Sequence, residues 1–155
     1  MDVNVKTVSI YELMEEYRAL LEEVDMLPLR VSGNSMRPFL RHGKDTIYIS
    51  KITEELKKGD IVFYQRITGQ YVLHRICKVH DNCYDIIGDG QNLVEPGIRR
   101  EQIFAIVKQI ERNGKILTPG TFMWDFFEKV WIRIIPLRPY VRKVYSVLKR
   151  IRGKK

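Results

Sequence analysis

Three short segments of the chain hold residue types that hydrolytic chemistry uses. They are Val31-Ser32-Gly33-Asn34-Ser35-Met36-Arg37-Pro38, Val72-Leu73-His74-Arg75-Ile76 and Gly88-Asp89-Gly90-Gln91-Asn92. The first reads as a polar loop. The second puts a histidine inside an apolar strand, and the third sets an aspartate between glycines just past a strand. An alcohol is a weak nucleophile until a base takes its proton, and a carboxylate can orient that base. Ser35, His74 and Asp89 are therefore the ingredients of a catalytic triad for acyl transfer. Each residue also has an ordinary reading: a turn serine, a hydrogen-bonded wall histidine and a tight Gly-Asp-Gly turn. Residue type alone does not choose between them. Two cysteines and three histidines without paired-ligand spacing support neither a zinc site nor a disulfide framework, and no cofactor is implied.

The surrounding sequence predicts the elements that must position these residues. Residues 9–24 read as a helix, with Ser9 and Glu12 as a capping box and Leu13, Tyr17, Leu20, Leu21 and Val24 on one face. Then the period changes. Thr46–Ser50, Asp60–Tyr64, Tyr71–Val79, Cys83–Ile87 and Ile103–Ile110 are rich in Ile, Val, Tyr and Phe. Turn signals at Gly43, Lys58-Gly59, Thr68-Gly69 and Asp81-Asn82 separate them, and residues 65–70 read as a hairpin connection. The expected fold is mainly β: a coiled antiparallel sheet or partly open barrel with helices at both ends. No strand–long helix–strand rhythm is present, which disfavours a Rossmann-type domain. The expected division is a helical appendage over 1–27, a β domain over 28–118 and a helical tail over 119–155.

The charge is unevenly placed. Of 27 basic residues, ten lie in residues 129–155, which hold no acidic residue, whereas the first 128 residues carry 17 basic and 19 acidic side chains. A near-neutral body with a basic tail argues against nucleic-acid binding by the body and for an anionic partner at the tail. Residues 122–135 add three phenylalanines and two tryptophans, so the tail is expected to attach reversibly to an anionic membrane surface, with its aromatic side at the headgroup boundary. The other expectation for these aromatic residues is packing against the sheet. No stretch has the length and apolarity of a signal peptide or a membrane span. The expected location is cytoplasmic, peripheral at the inner face of the membrane.

Taken in order, the three segments resemble the boxes of the S24/S26 serine peptidases, the superfamily joining type I signal peptidases to the self-cleaving SOS-response repressors. Ser-Gly-Asn-Ser-Met-Arg-Pro at 32–38 resembles the nucleophile box, which assigns that role to Ser35. Lys58-Gly59-Asp60-Ile61-Val62-Phe63 resembles the structural strand that follows it, and His74-Arg75-Ile76 the box of the general base. Bacterial signal peptidases and repressors carry lysine there; the archaeal and endoplasmic-reticulum type carries histidine, as here. Gly88-Asp89 with Asn92 resembles the last box, and the likeness spans roughly residues 28–112.

The resemblance implies a serine endopeptidase that needs no cofactor and cleaves an extended, leader- or signal-like peptide. His74 would take the Ser35 proton, and loop amides including that of Ser35 would meet the oxyanion, since Gly33 stands where bacterial signal peptidases have a hydroxyl residue. In the histidine type the catalytic aspartate lies several residues past Gly-Asp, where this chain reads Asn92-Leu93-Val94-Glu95-Pro96. Asp89 is taken as the third member, with Glu95 as the alternative. The resemblance would place a membrane anchor N-terminal to the nucleophile box, and the expectation for this chain is a type without it. Self-cleavage is disfavoured because no Ala-Gly or Cys-Gly pair precedes Ser35. The competing class is a catalytically silent peptide-binding or membrane-associated accessory module.

Overall fold

A computed structural model describes residues 10–152. Helix α1 (Ile10–Glu23) is followed by strands β1 (Leu27–Arg30), β2 (Thr46–Ser50), β3 (Ile61–Gln65), β4 (Tyr71–Val79), β5 (Cys83–Ile87), β6 (Glu95–Arg99), β7 (Ile103–Arg112) and β8 (Lys115–Leu117). Every pairing is antiparallel, in the order β1-β2-β7-β3-β4-β5-β6. Strand β7 is long enough to pair β2 along one edge and both β3 and β8 along the other. The sheet does not close into a barrel.

The five strands expected from β-branched and aromatic runs are present. β1, β6 and β8 are additional. Pro28 sits in β1, and Pro96 and Gly97 in β6, the two end strands of the main path, where a missing N–H breaks no internal ladder. In α1, Met14 and Leu21 are buried and Leu13 and Tyr17 partly so, whereas Leu20 is exposed, as is Val24, expected on the same helix face but just past the helix end. The expected Ser9–Glu12 cap lies outside the described residues.

Alternation along β3 builds two cores. Ile61 and Phe63 join Phe39, Leu40, Ile47 and Ile49 on one face; Val62 and Tyr64 join Ile76, Ile86 and Ile103 on the other. Because both faces are covered, β3 reads as a continuous apolar run. The aromatic segment completes the first core. Short helix α2 (Phe122–Asp125) runs into a π-helical turn (Phe126–Trp131), and Trp124, Phe127 and Trp131 pack with Phe39. Most of the aromatic side expected at a membrane is thus inside the protein. Helix α3 (Arg138–Arg152) follows a 3-10 turn that carries Pro136, with Pro139 in its own first turn, where a proline needs no N–H.

Candidate active site

Ser35 sits on a loop anchored by its neighbours. Met36, Phe39 and Leu40 are buried, and the Gly33 N–H donates to His42 Nδ1 at 2.9 Å. The Ser35 carbonyl accepts the Gly90 N–H at 2.7 Å. This approach explains the glycines of the third segment. A Cβ on Gly88 would lie 2.5 Å from the Ser35 carbonyl oxygen, and one on Gly90 would lie 2.8 Å from that of Arg37. The nucleophile loop and the Gly-Asp-Gly turn are therefore packed backbone to backbone. Ser35 itself is half-buried, and its hydroxyl makes no hydrogen bond with any described residue.

His74 lies on β4 opposite Val62, and its imidazole is almost fully buried at 2% exposure. Its Nδ1 is 3.3 Å from the Tyr64 hydroxyl and 3.6 Å from Glu95 Oε1. The Tyr64 hydroxyl has one proton, and it donates this to Glu95 Oε1 at 2.9 Å. Its oxygen then accepts from His74 Nδ1–H. This network assigns the tautomer: Nδ1 carries the proton, and Nε2 keeps its lone pair. Nε2 makes no hydrogen bond with any described residue. Since no buried side-chain nitrogen or oxygen among the described residues lacks a partner, it is not sealed from solvent.

Arg66 fixes the carboxylate of this group. Its Nε donates to Glu95 Oε2 at 2.8 Å and its Nη2 to Oε1, a two-pronged contact that holds the Glu95 carboxyl below its ordinary range. Burial raises the Tyr64 phenol, and the Glu95 carboxylate adds to the rise, so the hydroxyl keeps its proton. Burial also pushes His74 down, from 6.5 to about 4. The imidazole is neutral at pH 7, the state a general base needs.

Asp89 has other partners. Its carboxylate receives Arg75 Nε at 3.0 Å and Nη2 at 2.8 Å, with both side chains fully buried. Arg75 Nη1 also donates to the Gly59 carbonyl at 2.8 Å, and the guanidinium lies over the Phe39 ring. Neighbours on β4 thus serve different faces: Arg75 ties the Gly59 turn to the Gly88–Gly90 turn, and His74 meets Tyr64 and Glu95. The carboxylate within 4 Å of His74 is that of Glu95, the alternative rather than the preferred third member. Ser35 is tied to the group through Gly90 and the Arg75–Asp89 pair. No hydrogen bond joins Ser35 to His74 among the described residues.

The far side of the same turn is held by the tail. Trp131 Nε1 donates to the Asp89 carbonyl at 2.9 Å, and buried Arg138 donates to the carbonyls of Gly88 at 3.0 Å and Gln91 at 3.2 Å. Between loop and tail lies a cleft of about 560 Å³, lined by Asn34, Arg37, Pro38, Gly90, Trp131, Val141, Arg142 and Tyr145. Tyr64, Arg66 and the Arg75 pairing were not singled out from sequence. The hairpin connection was a usable signal for Tyr64: pairing across it sets Tyr64 opposite Val72, one same-face step from His74.

The His74 environment makes a stability prediction. An unfolded imidazole binds a proton near pH 6.5, the folded one only near 4. Between these values the unfolded state holds the extra proton, so the contribution is complete above pH 6.5 and is lost as pH falls towards 4. From pH 7 to 4.5 the wild type should lose about 2–3 kcal/mol more than His74→Gln, measured by chemical denaturation. Equal losses would mean that the imidazole is not shielded. Comparison of the sequence with protein-family models and with curated proteins found no match.

Proposed function

We propose that the protein is a serine endopeptidase of the S24/S26 type, with Ser35 as nucleophile, His74 as general base and Glu95 orienting the base. The support that carries this reading is the environment of His74: a buried, neutral imidazole with Nδ1 committed to Tyr64 and Glu95 and a free lone pair on Nε2. The open, β-rich antiparallel sheet agrees with the partly open barrel of that family, and the packing of the nucleophile loop on the Gly88–Gly90 turn agrees with the order of its boxes.

In the proposed reaction the Ser35 oxygen attacks a peptide carbonyl while its proton passes to His74 Nε2. The imidazolium is stabilised by Glu95 and returns that proton to the leaving amine as the C–N bond breaks. Amides of the 33–37 loop, that of Ser35 included, meet the oxyanion. Water, deprotonated by the same nitrogen, then releases the acyl group. The substrate is an extended, leader-like polypeptide, and the cleft beside Pro38 and Trp131 suits an apolar side chain of that segment.

A peptide-binding module without turnover is the second reading, favoured by the absence, among the described residues, of a Ser35–His74 hydrogen bond. Incubation with a library of extended peptides, read by mass spectrometry, separates the two. The peptidase reading expects wild-type cleavage at a defined bond. On a cleaved peptide, Glu95→Gln should lower kcat/KM by about 10²-fold or more, and Tyr64→Phe by about tenfold, through loss of the oriented tautomer. Asp89→Asn should act chiefly on the melting temperature. If Asp89→Asn costs more turnover than Glu95→Gln at unchanged stability, the orienting role belongs to Asp89.

A further inference from the structure

Helix α3 presents a surface the protein itself does not cover. At 100° per residue, Tyr140, Val144, Val147, Leu148 and Ile151 fall on one stripe about 100° wide, next to Val141, which lines the cleft. All five stripe residues are exposed, Tyr140 at 70%, Val144 at 59% and Ile151 at 64%. The helix meets the body through a different side. Arg138 and Arg142, one turn apart, donate to the carbonyls of Gly88 and Gly90, and Arg142 also to Asn92 Oδ1 at 2.9 Å. The contacts that dock the helix therefore leave the apolar stripe facing away from the Gly88–Asn92 turn.

The remainder of the helix is cationic. Its 15 residues include six Lys or Arg and no Asp or Glu. Lys143 and Arg150 lie beyond one border of the stripe and Lys149 beyond the other, all exposed. Among the described residues, no helix is long and apolar enough to cross a membrane. A short apolar stripe flanked by cations suits burial to headgroup depth in the plane of a bilayer, with the charges against anionic lipid. A second copy is a poor occupant, since it would bring six like charges against six.

We infer that the exposed face of α3 binds the surface of an anionic lipid bilayer. The attachment is assigned to α3, since Trp124, Phe127 and Trp131 of the preceding segment are buried. It stands apart from the peptidase reading, because it is read from lipid binding and not from turnover.

The test is co-sedimentation of the full chain with vesicles of phosphatidylcholine containing about one third phosphatidylglycerol, against pure phosphatidylcholine. Binding to the anionic vesicles should be at least about tenfold stronger at low salt and should weaken steeply at high salt. The double variant Val144→Glu/Leu148→Glu should lose at least about tenfold of it while its thermal melt stays close to wild type, because both side chains are exposed. Three results overturn the proposal: no binding to anionic vesicles at low salt, equal binding by the folded double variant, or a stable dimer in sedimentation velocity that the double variant abolishes without any vesicle binding.

Discussion

Ser35→Ala is expected to lower peptide cleavage by at least about 10³-fold while leaving the unfolding free energy within about 0.5 kcal/mol of wild type. The first half follows from the chemistry: without the oxygen there is no acyl-enzyme, and water must attack with only the loop amides to help. The second half follows from the loop. The Ser35 hydroxyl makes no hydrogen bond with a described residue, whereas its carbonyl is held by Gly90 and its neighbours Met36 and Phe39 are buried. Alanine keeps all of that. Cleavage at the same bond with an undiminished rate would reject serine catalysis, and a large loss of stability would show that the hydroxyl is structural.

Asp89→Ala should have the largest effect on stability, about 3–5 kcal/mol by chemical denaturation. Among the described residues, it leaves the buried Arg75 guanidinium with the Gly59 carbonyl and the Phe39 ring as its remaining partners. An uncompensated buried charge costs far more than the pair contributes. For that reason the double variant Arg75→Met/Asp89→Leu should recover a good part of the loss, a non-additivity that a double-mutant cycle measures. Additive effects would mean that the two side chains are not coupled. Turnover should fall along with stability in the single variant, since Arg75 and Asp89 join β4 to the turn on which the nucleophile loop rests.

The pairing of Arg75 with Asp89 was not legible in the sequence. The strands were legible because their β-branched and aromatic runs end at turn residues: β2, β4 and β5 have the bounds expected of them. β1 and β6 carry prolines, and β8 has three residues, so none has a strong period of its own. The site residues were visible as types, and Gly88 and Gly90 as turn formers. The partner of each charge was not. Asp89 and Glu95 both follow β5, and which carboxylate faces His74 depends on alternation along β4, which sends His74 and Arg75 to opposite faces. Tyr64 was hidden for a related reason: in a run of four buried residues nothing local distinguishes a core tyrosine from one whose hydroxyl joins His74 to Glu95. The aromatic tail was ambiguous because the same composition serves a core and a headgroup boundary.

Activation of Ser35 by His74 can be tested without a substrate. Wild-type protein, Ser35→Ala and His74→Ala are each treated with a fluorophosphonate at pH 7.5, and the adduct is located and timed by mass spectrometry of the digested chain. Each wild-type chain should gain one adduct, on Ser35, formed at least about 100-fold faster than in His74→Ala and absent from Ser35→Ala. No adduct on Ser35, or labelling of Ser35 at the same rate with and without His74, would contradict activation by His74.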